Sequence, residues 1–130
     1  MDQSTLVGPA LEEGKQLVEA ADRFGLQIEA AFWWLENDNW KLLLATPLVS
    51  TEGPRSVYLK LSKAVRESGL SRDLFERTSV LSPSSGVVTI LDISAQRIPY
   101  DRLVLRESVG GVYVEGAYFY RFAPSSFDNA

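Results

Sequence analysis

The sequence predicts an α+β fold: a mainly antiparallel sheet of about five strands, two hairpins plus a middle strand, packed by two or three helices. Three observations predict it. Apolar residues recur at helical spacing from Ala10 to Phe24, they alternate from Leu26 to Leu35, and the dipeptide Gly110-Gly111 separates two strand-like stretches. The implied order is α-β-β-α-β-(α)-β-β.

In the first helix Leu11, Leu17, Val18, Ala21 and Phe24 share one face, and Glu12, Glu13, Lys15, Glu19 and Asp22 take the other. Pro9 suits the first turn and Gly25 the position after the last. From Leu26 to Leu35 the period becomes two. The turn cluster Asn37-Asp38-Asn39 tolerates left-handed backbone, and Trp40 to Thr46 returns as the partner strand until Pro47 stops it. Gly53-Pro54 opens a second helix that runs to Ser68 and ends at Gly69, with Val57, Leu61, Ala64 and Val65 as its buried stripe. A short strand is expected within Phe75 to Leu81. Ser84 to Ala95 reads as a helix, although Val87, Val88 and Leu91 would also serve a strand. Arg102 to Glu107 pairs with Val112 to Phe122 across the two glycines, which supply positive φ without steric penalty. One domain over 1–122 and a flexible tail over 123–130 are expected.

At 130 residues, 45% hydrophobic and 23% charged, the chain is apolar enough to hold a core and too apolar to be disordered. Cysteine and histidine are both absent, which removes disulfides, thiolate nucleophiles, Ser-His-Asp triads and the usual zinc ligands. No cofactor is expected. Magnesium held by carboxylates is the metal chemistry that the composition still allows. The net charge of −4 and the lack of a basic run speak against nucleic acid, since Arg55–Arg66 and Arg97–Arg106 are diluted by acids or apolar intervals. The start, MDQSTLVGPALEEGK, lacks the charged and apolar regions of a signal peptide, and no apolar run reaches the ~20 residues that span a bilayer. A cytoplasmic protein with no membrane contact is the expectation.

Catalytic motifs fail one after another. Gly8-Pro9 and Gly53-Pro54 are helix openings, and Ser84-Ser85-Gly86 lacks the nucleophile-elbow pattern. A metal nuclease needs an acid and then acid-x-lysine on adjoining strands. After Glu29 the second element is Asn39-Trp40-Lys41, with Asp38 one residue out of register. Asp92, Asp101, Glu107 and Glu115 are available for acid–base work, but nothing brings two of them together. Arg102 and Arg121 have the planar fork that suits an anionic ligand, against the plainer reading that each pairs with a nearby acid.

The aromatic pattern is the feature that departs from a plain α+β domain. Trp33 and Trp34 are neighbours on a strand and must face opposite ways, so both faces of the sheet need shelter from water. With Ile28, Phe32 and Trp34 assigned to the core, Trp33 and Leu35 are left for the second face. The last strand repeats this division, with Val112, Val114, Tyr118 and Tyr120 on one side and Tyr113, Ala117 and Phe119 on the other. Either helices cover both faces, or the second face meets another chain or a ligand; two or three helices cover two faces poorly, and tryptophan and tyrosine are favoured interface anchors. The expectation is a non-catalytic interaction module that forms a homo-oligomer, a dimer first, through Trp33, Leu35, Tyr113 and Phe119. The alternatives are a small carboxylate-based, magnesium-dependent hydrolase or transferase, or a binder of a small anion.

Overall fold

The computed structural model of the chain describes residues 8–92 and 97–123. Its elements are α1 (Gly8–Arg23), β1 (Ala30–Glu36), β2 (Asn39–Ala45), α2 (Leu48–Glu52), α3 (Pro54–Glu67), α4 (Arg72–Glu76), β3 (Thr78–Leu81), α5 (Gly86–Asp92), β4 (Val104–Val109) and β5 (Val112–Phe122). The strands form one sheet in the order β3-β2-β1-β5-β4. All neighbours are antiparallel except β2 and β3, which run parallel because α2, α3 and α4 carry the chain back between them.

Local chemistry accounts for most boundaries. Asn37 and Asp38 have φ of 53° and 63°, the two consecutive left-handed residues of a tight hairpin turn, and they set Glu36 opposite Asn39. Gly110 and Gly111 do the same between β4 and β5, at 57° and 91°. The Ser71 hydroxyl caps α4 by accepting from the Leu74 N–H at 3.1 Å. Thr46, buried after β2, donates to the Leu26 carbonyl at 2.6 Å and accepts from the Leu48 N–H at 3.1 Å, so the turn into α2 leaves no polar group stranded.

The sheet separates two cores. On one face Ala31, Trp33 and Leu35 of β1 and Trp40, Leu42 and Leu44 of β2 pack against α1 and α3. On the other, Phe32, Leu43, Ala117, Phe119 and Phe122 pack against Val88 and Leu91 of α5 and against Ile98. Helices therefore flank both faces, and α2 and α4 are single turns beyond the two or three helices expected.

Several boundaries move. Residues 26–29 are not strand: Gln27 has φ 54°, which breaks the alternation and sends Ile28 to the α1 side rather than beside Phe32. The short strand expected within Phe75 to Leu81 is present as β3, after Phe75 and Glu76 complete α4. The ambiguous stretch is helical over Gly86–Asp92, and its expected end at Ala95 lies outside the described residues. Along β5 the alternation fails twice. Val114 and Ala117 share a face, and pairing with β1 slips between Ala31 and Phe32, so Arg121 faces Ala31, Phe119 faces Phe32, and Tyr120 is the extra residue. Of the expected tail, Ala123 is tied by its N–H to the Glu29 carbonyl at 2.8 Å, and 124–130 lie outside the described residues.

Candidate functional site

The first indole has a complete shelter. Trp33 donates from Nε1 to the Tyr120 hydroxyl at 2.8 Å, and that hydroxyl donates to the Leu11 carbonyl of α1 at 2.6 Å. Burial pushes the Tyr120 hydroxyl well above the usual tyrosine range, so it remains a proton donor. The Arg77 guanidinium stacks over the Trp33 ring, 5.0 Å from its centroid, and its Nε lies 3.3 Å from the Asp73 carboxylate. Gly14 makes the approach of α1 possible, because a Cβ there would run into the Tyr120 hydroxyl and stand 2.9 Å from Trp33 Nε1.

These contacts correct the interface expected from sequence. Trp33, Leu35 and Phe119 are 0%, 4% and 0% exposed, all enclosed by helices of the same chain, whereas Tyr113 is 66% exposed. The physical reason is that α1 and α3 both lie on the Trp33 face, while α5 and Ile98 close over Phe119. The arginines resolve as ion pairs. Arg121 holds Asp22 through two hydrogen bonds of 2.9 and 2.7 Å and also donates to the Ile28 carbonyl. Its bond to Asp22 raises the guanidinium further above its ordinary range. Arg102 holds Glu107 at 3.3 and 3.0 Å, which draws that carboxyl below the usual range.

The second indole is sheltered only in part. α5 has seven residues and reaches only part of the sheet. Where its cover ends, Trp34, Glu36, Lys41, Leu43, Leu81 and Val87 are among the residues that line a cavity of about 270 Å³. Trp34 rests edge-on against Phe32, ring centroids 5.9 Å apart, and stays half-buried. The hairpin register puts Lys41 directly opposite Trp34, and Glu36 lies two residues further along the same face. Lys41 and Glu36 are both exposed and, among the described residues, neither has an ion-pair partner. Ile90, one turn along α5 from Val87, is 51% exposed and extends the apolar ground.

The chemistry of this surface is that of contact: an indole and aliphatic side chains in the middle, opposite charges at the edge. It contains none of the interface residues expected from sequence, Trp33, Leu35, Tyr113 and Phe119, and neither Arg102 nor Arg121. Sequence alone assigns Trp34 to the core and shows Lys41 only within a failed nuclease pattern. For the magnesium alternative, no three acids gather closely enough to hold a metal among the described residues. Likewise, no described helix is long and apolar enough to cross a membrane. Comparison of the chain with known protein families, characterised proteins and solved structures yields no match.

Proposed function

We propose that the chain is a non-catalytic interaction module that self-associates, as a dimer first, through the half-covered face of its sheet centred on Trp34. The observation that carries this reading is the unpaired cation and unpaired acid beside that indole, Lys41 across from it and Glu36 two residues along its strand. A two-fold axis brings each residue of one copy to its counterpart contact on the other, so a self-complementary patch needs both charges on one chain. With the axis near Trp34, Lys41 of each copy meets Glu36 of its partner. Exposed ion pairs contribute only about 0–1 kcal/mol each, so they set register. Affinity comes from burying Trp34, Val87, Leu81 and Ile90.

The test is the solution mass by light scattering over a concentration series, for wild type, Lys41→Glu, Glu36→Lys and the double reversal. The wild-type mass is expected at twice the 14.4 kDa of one chain. Each single reversal shifts the protein toward monomer, and the double reversal restores the dimer. A wild-type protein that stays at 14.4 kDa up to millimolar concentration, or reversals that leave the mass unchanged, would overturn the reading.

A further inference from the structure

We infer that the cleft between α1 and β5, on the sheet face opposite the Trp34 surface, is a binding site for a free basic amino acid. The cleft has a volume of about 280 Å³ and is lined by Lys15, Val18, Glu19, Asp101, Tyr120 and Arg121. The bulge in β5 creates it. The extra residue lets Tyr120 and Arg121, consecutive in sequence, both reach α1, one to the Leu11 carbonyl and the other to Asp22.

Two of these groups are committed. The Tyr120 hydroxyl accepts from Trp33 and donates to Leu11, and Arg121 is held by Asp22 and the Ile28 carbonyl. They form a fixed wall. Three charged groups remain: the Lys15 ammonium and the Glu19 and Asp101 carboxylates, none with an ion-pair partner among the described residues. Lys15 and Glu19 are one turn apart on α1, in the lysine-first order that pairs less well. Asp101 is positioned by its backbone. It has φ 57°, its N–H donates to the Phe119 carbonyl at 3.1 Å, and the neighbouring Tyr100 hydroxyl donates to the Phe122 carbonyl at 3.1 Å.

One unpaired cation and two unpaired anions define the complement: a ligand with one carboxylate and two cationic groups. A simple anion would meet both carboxylates unopposed, and a diamine would leave Lys15 facing a like charge. Free lysine and arginine carry the required set. Their methylene chains suit the apolar ground of Val18 and the Tyr120 ring. The Lys15 ammonium takes the ligand carboxylate, and Asp101 and Glu19 take the α-ammonium and the side-chain cation.

Titration calorimetry of the full chain tests this with L-lysine and L-arginine, and with glycine, L-glutamate and putrescine as probes that each lack part of the charge set. At least one basic amino acid binds at millimolar concentration or below, and each control binds at least tenfold more weakly. Asp101→Asn, chosen because asparagine tolerates the same left-handed backbone, and Lys15→Met each weaken binding at least tenfold while the unliganded melting temperature stays close to wild type. No binding of either basic amino acid by ~10 mM, equal binding of L-glutamate or putrescine, or unchanged binding in both variants would overturn the assignment.

Discussion

Replacing Gly14 by alanine separates helix propensity from packing, because the two predict opposite signs. Gly14 lies inside α1, where alanine is worth about 1 kcal/mol more than glycine. Against this, the added Cβ meets the Tyr120 hydroxyl and comes within 2.9 Å of Trp33 Nε1. Overpacking a closed core costs about 1–3 kcal/mol. Pushing Tyr120 aside also strands the fully buried Trp33 N–H, which costs a further ~1–3 kcal/mol. The net expectation is a loss of about 1–5 kcal/mol, with a midpoint of ~3 that is on the order of 10 °C in melting temperature for a chain of this size. Calorimetric melting of wild type, Gly14→Ala, Tyr120→Phe and the double variant measures it. Removing the hydroxyl removes the first atom that the new methyl meets, so Gly14→Ala costs at least ~1 kcal/mol less in the Tyr120→Phe background. A Gly14→Ala protein that melts above wild type, or a cycle additive within ~0.3 kcal/mol, would refute the close approach of α1 to the indole.

Two further perturbations probe other parts of the account. At Gly116 a Cβ would stand 2.8 Å from both Leu35 Cβ and Trp40 Cη2, so Gly116→Val lowers stability by about 1–3 kcal/mol in a urea titration, whereas Gly86→Ala, with open space around it, changes little. The Glu107 carboxyl lies below its ordinary 4.5 because Arg102 hydrogen-bonds it, so Arg102→Ala returns its NMR titration midpoint toward that value. A depressed folded-state carboxyl stabilises the fold above the ordinary value and ceases to as pH falls through the folded one. The wild-type advantage over Arg102→Ala is therefore present at neutral pH and fades below about 4.5.

What was legible in the sequence is what local chemistry decides. The turn residues Asn37 and Asp38 locate the first hairpin, and with strict alternation they pair Trp34 with Lys41. The amphipathic stripes of α1 and α3 are equally local. The doubtful segment resolves as helix, with Val88 and Leu91 spaced to share a buried face. Allocation of helices between faces is not local. That two faces needed shelter followed from the adjacent indoles, but α1 and α3 both lie over Trp33, which hides it and leaves the short α5 to cover Trp34 incompletely. The bulge at Tyr120 has no sequence mark. It accompanies the packing of Phe119 and Phe122 together against Phe32, ring centroids 5.3 and 6.0 Å away. Arg102 follows the plainer reading and holds Glu107, five residues on, whereas the acid that Arg121 holds, Asp22, lies 99 residues away and is brought to it by folding.

The most direct measurement is fluorine NMR of the chain labelled with 5-fluorotryptophan, whose three indole signals are assigned through Trp34→Phe. On dilution from millimolar to micromolar, the Trp34 signal is expected to move while those of Trp33 and Trp40 stay fixed, because in the proposed dimer only Trp34 lies where two copies meet. Three signals that ignore concentration, or movement at Trp33 or Trp40 instead, would contradict association through this face.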